Sequence, residues 1–268
     1  DLRSPLLDGA TEYLVWQTIV GTWPLSGQST AAPISGDRLV EYLRKATREA
    51  KVHTTWTNPD TEYENAVEGF AVGVLEREDV CAAIGSFVQH VRPATRVTVL
   101  GQKLVQLTMP GVPDTYQGTE LVNQYLVDPD NRRPVDYAVR SARLERLDGG
   151  ARPQDVDDEK LLVTSRALRL RRERPEVFVG EGATYSALPT SSGHAVAFAR
   201  GDARGPSIVT LATRLLVTLQ RLGGWDDHTV TLPEGPWHDV LSGRRVDGRA
   251  VRLADVLADL PVALLVRT

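Results

Sequence analysis

The 268-residue sequence has a single cysteine, Cys81, and no run of the roughly 18 apolar residues that a membrane span needs. One cysteine excludes an internal disulfide and favours a reducing compartment, so we expect a cytoplasmic protein. The N-terminus shows no signal-peptide pattern. The net charge of −4 and the pI of about 5.8 favour neither nucleic acid nor a membrane surface as a partner.

Several chemical signatures are missing as well. The sequence has no G-x-S-x-G nucleophile elbow and no phosphate-binding glycine loop. Cys81 falls in an apolar helical stripe, which indicates a structural thiol rather than a nucleophile. No metal and no cofactor is predicted, because the five histidines lack metal-ligand spacing: His53, His90, His194, His228 and His238.

Apolar periodicity divides the chain into a helix-rich part and a β-rich part. Residues 10–107 repeat apolar side chains at helical spacing. Thr57 or Asn58 is predicted to cap the third helix, while the fourth and fifth are predicted at 80–91 and 97–107. A further helix is predicted at about 157–174. Beyond it, short alternating runs between turn residues predict an antiparallel sheet, with strands at 195–199, 207–212, 229–232 and 262–266.

The segment 110–137 contains the residues best suited to binding. Its four prolines exclude a plain helix, so we predict a short strand that opens into a long polar loop, where ligand contacts concentrate. Carboxylates, guanidinium groups and aromatic rings suit a polyhydroxylated ligand. Trp56, further upstream, is a second candidate stacking face. The residues within the segment that carry this interpretation are Asp114, Tyr116, Gln117, Glu120, Asp128, Asp130, Arg132, Arg133 and Asp136.

A purely structural interpretation stays open for both regions. Arg132 and Arg133 could simply hold Asp128 and Asp136 in a salt-bridged loop. Trp56 could pack as an N-terminal staple onto the helix that follows it.

Five stretches of the chain carry a family resemblance. The segment 110–137 reads P-G-V-P-D-T-Y-Q-G-T-E and then L-V-D-P-D-N-R-R-P-V-D-Y. Upstream are E-Y-L-V-W-Q-T-I-V-G-T-W-P-L at 12–25 and R-E-A-K-V-H-T-T-W-T-N-P-D-T-E-Y-E at 48–64, and downstream are L-P-E-G-P-W-H-D-V-L-S-G-R at 232–244 and L-P-V-A-L-L-V-R at 260–267. Together these motifs resemble the maltooligosyltrehalose synthase family of the α-amylase superfamily over nearly the whole chain.

The resemblance implies an α/β fold joined to an all-β one. The chain would be the C-terminal part of a (β/α)₈ barrel with an enlarged helical insertion, followed by an antiparallel β-sandwich. Residues 1–107 would be the helical region between barrel strands seven and eight. Residues 108–176 would hold the last barrel strand, the active-site loop and a helix, and 177–268 the β-sandwich. Barrel active sites lie at the C-terminal ends of strands, so the loop would face the substrate.

The resemblance also implies an isomerase, (1→4)-α-D-glucan 1-α-D-glucosylmutase, which acts in trehalose biosynthesis. The family's catalytic Asp, Glu and Asp are expected upstream of this chain, since its strand-seven motif of the type T-H-D-T-K-R is absent and the chain begins at Asp1 without methionine. Alone, the chain is expected to be inactive. Its partners would be a maltooligosaccharide and the N-terminal part of the same enzyme. The substrate-binding residues would be Asp114, Tyr116, Gln117, Glu120, Arg132, Arg133, Asp136 and Trp56.

Two other functions remain open at this point. One is a non-catalytic carbohydrate-binding or scaffolding fragment, and the other is a related glycoside hydrolase that releases trehalose. For the C-terminal sheet we expect packing against the barrel rather than starch binding, because its aromatic residues Trp225 and Trp237 form no obvious stacking platform.

Overall fold

The computed structural model describes residues 3–25 and 34–268. They form two compact units, the first from 3–25, 34–92 and 123–135 and the second from 93–122 and 136–268. The predicted segments 1–107, 108–176 and 177–268 divide the chain differently, because a long helix and the loop after it contribute residues to both units. The domain boundaries implied by the resemblance stay a prediction.

The first unit is helical. Its core consists of apolar stripes that include Ile19, Leu43 and Phe70, all at most 5% exposed. The Trp16 and Phe70 rings meet edge to face, with centroids 5.6 Å apart, which adds to the apolar packing. The unit contains α1 (Gly9–Gly21), α2 (Gly36–Ala50), α3 (Thr61–Glu76) and the first half of α4 (Glu78–Thr108).

Two predictions for these helices were wrong in detail. The N-cap of α3 is Asp60, whose carboxylate accepts the Tyr63 N–H at 3.0 Å, and neither Thr57 nor Asn58 caps the helix. The predicted fourth and fifth helices are one helix, α4, with Pro93 inside it. A proline removes one helical hydrogen bond, but here the buried stripe continues on both sides of it.

The second unit begins with the rest of α4 and two more helices. The helix predicted at about 157–174 is confirmed as α6 (Val156–Glu173). The helix before it, α5 (Tyr137–Asp148), was not predicted, and it is capped by the Asp136 carboxylate, which accepts the Val139 N–H at 3.0 Å. Short 3₁₀ turns lie at Asp130–Arg132, in the first unit, and at Pro175–Val177.

An antiparallel sheet of six strands follows, in the order β1-β2-β3-β8-β5-β6, and β4 pairs with β7 in a separate two-stranded sheet. The predicted antiparallel sheet is therefore confirmed, with β2, β3, β4 and β8 at the expected places. The bounds are β1 (Thr184–Ala187), β2 (Ala195–Asp202), β3 (Gly205–Thr213), β4 (Thr229–Thr231), β5 (Trp237–Asp239), β6 (Arg245–Val246), β7 (Ala250–Arg252) and β8 (Val262–Arg267), with short helices α7 (Leu216–Arg221) and α8 (Leu253–Val256) between them.

Successive residues of a strand point to opposite faces of the sheet, and in the central strands β3 and β8 consecutive residues are buried, so both faces are covered. On β3, Ile208 and Ala212 belong to a core shared with α4 and α6. The intervening Val209 and Leu211 belong to a second core, shared with β4 and α8. Trp237 lies in this second core and is 1% exposed, so its ring is not available for stacking on a sugar.

Residues 109–129 form no strand, although the resemblance implies the eighth barrel strand and its exit loop at 108–118. A strand exists only by hydrogen bonding to a neighbouring strand, and neither of the two sheets reaches this segment.

Within the described part of the chain, no helix is long and apolar enough to cross a bilayer.

Candidate functional site

The segment 110–137 is divided between the two units. Residues 110–122 and 136–137 belong to the second unit, and 123–135 to the first. Of the predicted site residues, the second unit therefore holds Asp114, Tyr116, Gln117, Glu120 and Asp136. The first unit holds Trp56, Arg132 and Arg133.

In the second unit, residues 114–122 form an irregular turn that follows α4. Tyr116 is 56% exposed, so more than half of the residue's surface is accessible to a ligand. Gln117 and Gly118 adopt positive φ values of 53° and 75°, which reverse the chain between Tyr116 and Glu120. The Asp114 side chain is exposed, while its carbonyl accepts the Gln106 side-chain N–H at 2.9 Å.

Charged side chains of α5 and α6 hold this turn by its backbone. Arg140 donates to the Gly118 carbonyl at 2.7 Å and lies 3.4 Å from the Glu120 carboxylate. Lys160 donates to the Leu121 carbonyl at 2.8 Å. The Val122 N–H donates to the Asp157 carboxylate at 2.7 Å.

A cleft of about 320 Å³ lies between α4 and α6 and contains two lysines. Burial lowers the pKa of Lys103, and the charges of Glu120 and Asp114 oppose that effect. Burial, with the nearby Lys103 charge, lowers the pKa of Lys160 to about 8. The cleft is lined by Val99, Gln102, Lys103, Gln106 and Lys160.

In the first unit, Asp130 anchors the loop 123–135 onto α2. Its carboxylate accepts two hydrogen bonds from Arg38, both at 2.7 Å, and one from the Leu126 N–H at 2.7 Å. Arg133 adds another at 2.8 Å. Burial opposes the shift, but these hydrogen bonds outweigh it and lower the pKa of Asp130 to about 2.

The two adjacent arginines have different partners. Arg132 pairs with Asp128 at 2.5 Å and has a side chain that is 73% exposed. Arg133 pairs with Asp130, and its side chain is 48% exposed. The structural interpretation of this loop is confirmed for Asp128. It is wrong for Asp136, which accepts the Val139 N–H as the N-cap of α5.

Trp56 lies in the loop between α2 and α3 and is 56% exposed. The Arg48 guanidinium of α2 lies over its ring, 4.9 Å from the centroid. Arg48 in turn makes two hydrogen bonds to Glu64 of α3, at 2.8 and 2.7 Å. The cation–π partner of the ring is therefore Arg48 of α2, whereas the staple interpretation placed Trp56 against the following helix, α3.

Several residues that shape these loops were not singled out from the sequence. They sit on helices, and a charge on a helix usually signals a solvated face. The sequence contained one signal for such a residue, at Lys103, because this charged residue follows Leu100 at the spacing of a buried apolar stripe. In the structure Lys103 is 7% exposed. The others are Arg38, Arg140, Asp157 and Lys160, together with Lys45 of α2, which donates to the Asp128 carbonyl. No group of three or more His, Cys, Asp or Glu side chains within 3–25 and 34–268 is placed to hold a metal ion.

Comparison with known proteins agrees with the sequence motifs. The chain is 42% identical over 267 residues, 98% of its length, to a Mycobacterium tuberculosis protein described as a maltooligosyl trehalose synthase, of which it covers 32%. The solved maltooligosyltrehalose synthase of Arthrobacter ramosus matches with a TM-score of 0.84 and 42% identity, over 96% of this chain and 32% of that one. A solved glycosyltrehalose synthase from strain DSM5389 matches with a TM-score of 0.77 and 26% identity, over 100% of this chain and 33% of that one.

These similarities confirm the resemblance to maltooligosyltrehalose synthases. The chain spans about a third of the length of the relatives that it matches. No family model matches the chain.

Proposed function

We propose that this chain is the C-terminal part of a maltooligosyltrehalose synthase, a (1→4)-α-D-glucan 1-α-D-glucosylmutase. The observation that carries the proposal is the 42% identity to such a synthase over 98% of the chain, which includes the signature at 110–137. The complete enzyme converts the reducing-end α-1,4 bond of a maltooligosaccharide into an α,α-1,1 bond. Cys81 is the chain's single cysteine, so we place the enzyme in the reducing cytoplasm.

In the complete enzyme, the segment 108–118 supplies the last strand of a (β/α)₈ barrel together with the loop that leaves that strand. The flanking strands come from the upstream part, which explains why this segment has no partner strand of its own. The exposure of its apolar residues supports this placement, since Met109 is 45% exposed and Val112 92% exposed. The sheet at 177–268 then forms the β-sandwich that follows the barrel.

The reaction needs two carboxylates placed close together, which the upstream part provides. One attacks the anomeric carbon to form a glycosyl–enzyme bond, while the other protonates the leaving glucose oxygen. The freed glucose then attacks the same carbon through its anomeric hydroxyl. Its proton returns to the carboxylate that acted as the acid, and the bond to the nucleophile breaks.

This chain contributes the wall that keeps glucose in the pocket and water out. Water that reached the glycosyl–enzyme bond would hydrolyse it, so exclusion of water decides between isomerisation and release of glucose. Tyr116 and Trp56 offer exposed ring faces for the apolar side of a sugar. The charged and amide groups offer partners to sugar hydroxyls: Asp114, Gln117, Glu120, Arg132, Arg133 and Asp136.

The test is incubation of the complete enzyme with maltopentaose. We expect a non-reducing product of unchanged chain length. Release of free trehalose would instead identify a trehalose-releasing hydrolase. Binding of maltopentaose without any turnover would favour a non-catalytic carbohydrate-binding protein.

A second test concerns Arg133, one of the residues proposed to line the sugar pocket. In the complete enzyme, Arg133→Ala should lower isomerase activity or raise the fraction of glucose released, because Arg133 fixes Asp130 and is half exposed. Arg77→Ala is the matched control, since Arg77 forms an exposed pair with Asp79 at 2.7 Å in the same unit. Parental activity and product ratio in Arg133→Ala would remove Arg133 from the pocket.

A further inference from the structure

Residues 118–122, the second part of the turn 114–122, are held to two helices by three charged side chains. Arg140 on α5 donates to the Gly118 carbonyl and approaches the Glu120 carboxylate. On α6, Lys160 donates to the Leu121 carbonyl, and Asp157 accepts the Val122 N–H. Successive parts of the turn are therefore fixed by side chains from two different helices.

Apart from the Arg140–Glu120 ion pair, each of these contacts joins an ionised side chain to a backbone group. Such charge-assisted hydrogen bonds are shorter and about twice as strong as neutral ones. The Arg140 side chain is 17% exposed, so water screens its contacts less than it would screen those of a surface arginine. The turn itself has no helix or strand to keep its shape.

Arg140 also reaches a third part of the proposed pocket wall. It donates to the Asp136 carbonyl at 3.0 Å, at the start of its own helix. One guanidinium thus ties the Gly118 backbone, the Glu120 side chain and the cap of α5 together.

We propose that Arg140, Asp157 and Lys160 are positioning residues, which fix the main chain of 118–122 and so hold Tyr116, Gln117 and Glu120 at the sugar pocket. This inference rests on the proposed function. The three residues need not touch the sugar. Their effect is geometric, because a displacement of about 1 Å at a reacting centre can reduce a rate by as much as 100-fold.

The test compares Lys160→Met and Lys160→Arg in the complete enzyme, with maltopentaose as substrate. Methionine keeps most of the unbranched stem but cannot donate to the Leu121 carbonyl. We expect kcat to fall by about tenfold or more, with a smaller change in KM and a larger fraction of released glucose. Arginine restores a donor, so it should recover part of the lost kcat.

Arg169→Met is the matched control. Arg169 is also on α6, and it pairs with Asp148 of α5 through two hydrogen bonds at 2.6 Å. It therefore joins the same two helices through Asp148 rather than through the turn. Its substitution should leave kcat and the product ratio at the parental values.

Amide hydrogen exchange in the complete enzyme gives a second readout that does not depend on activity. Peptides that cover 118–122 should exchange at least about threefold faster in Lys160→Met, and remain unchanged in Arg169→Met, because opening of the turn exposes its amides. If Lys160→Met fails to fold, Asp157→Asn carries the same readouts, with smaller changes of the same sign because one acceptor oxygen remains.

The outcomes separate the two proposals. A parent enzyme without isomerase activity would overturn the proposed function, while hydrogen exchange would still show whether the turn is held as described. A parent enzyme that is active, with parental kcat, product ratio and exchange in Lys160→Met, would overturn the positioning role. Parental values for Asp157→Asn would do the same if Lys160→Met cannot be made.

Discussion

Two acids in one loop show how burial decides what an ion pair contributes. The Asp130 side chain is 10% exposed and faces Arg38, which is 18% exposed. Asp128, two residues earlier, is 48% exposed and faces Arg132, which is 73% exposed. Water screens the second pair and solvates its members when they separate, whereas a break in the first pair leaves a charge partly buried without a partner.

We therefore predict different costs for two matched substitutions in this chain. Asp130→Asn should lower the free energy of unfolding by about 2 kcal/mol, because it weakens charge-assisted hydrogen bonds to Arg38 and Arg133. Asp128→Asn should lower it by less than about 1 kcal/mol. Urea denaturation at pH 7 measures both values. Equal losses would show that burial of Asp130 does not set its contribution.

Two carboxylates with lowered pKa values predict that the chain loses stability in acid. The pKa of Asp130 and the pKa of Asp8 are each lowered to about 2, because hydrogen bonds to the ionised carboxylates outweigh burial. In the unfolded chain both pKa values return to about 3.9. The stability that these groups supply is thus complete above about pH 5, and is lost progressively as the pH falls towards 2.

Denaturation midpoints measured between about pH 5 and pH 2 check this prediction. The midpoint should fall across that interval in the parent chain, and Asp130→Asn should flatten the decline. An unchanged slope in the variant would mean that other carboxylates account for the acid sensitivity.

At the scale of elements, the β2–β3 hairpin depends on a close approach between backbones. The strand register shifts between Arg200 and Gly201. A Cβ atom at Gly201 would lie 2.3 Å from the Gly205 carbonyl oxygen and 2.8 Å from the Pro206 Cα. Both are backbone atoms, so the hairpin cannot relieve the clash by a side-chain rotation.

Gly201→Ala should therefore destabilise the chain by about 2 kcal/mol or more. Gly193→Ala is the control, because a Cβ there meets nothing within 4 Å. It should change the unfolding free energy by less than about 0.5 kcal/mol. Thermal unfolding of the two variants and the parent measures the difference. Equal melting temperatures for the two variants would contradict the close approach of the backbones at Gly201.

Elements with long apolar stripes were predictable from the sequence, and sparse or short ones were not. Helix α6 buries seven residues and was predicted within a residue or two of its ends. Helix α5 buries only Leu147, so its sequence has no stripe to recognise. Strands β5 and β6 have three and two residues, which is too short for an alternating pattern to appear.

The second unit exposes apolar side chains near the turn 114–122. Soluble proteins seldom expose large apolar areas unless a partner covers them. The upstream part of the proposed enzyme is the partner that would cover this area. The residues concerned are Met109 at 45%, Val112 at 92%, Tyr116 at 56%, Tyr137 at 67% and Val139 at 45% exposure.

Val112→Asp distinguishes a covered surface from a free one. In the chain alone the substitution should change stability by less than about 0.5 kcal/mol, since Val112 is 92% exposed. In the complete enzyme it should cost about 2 kcal/mol or more, because a carboxylate would be buried where the barrel closes. Denaturation of both proteins gives the comparison. A neutral effect in each would mean that the upstream part does not cover Val112.

The sequence alone determined the division into a helical part and an antiparallel sheet, and its motifs determined the family resemblance. Both depend on local information, namely apolar spacing and the order of residues in a motif. The tertiary structure alone decided which side chains hold the loops, because Arg38, Arg140 and Lys160 lie 86, 22 and 39 residues from the carbonyls that they bind. Contacts over such separations depend on how helices pack, and no local pattern in the sequence records them.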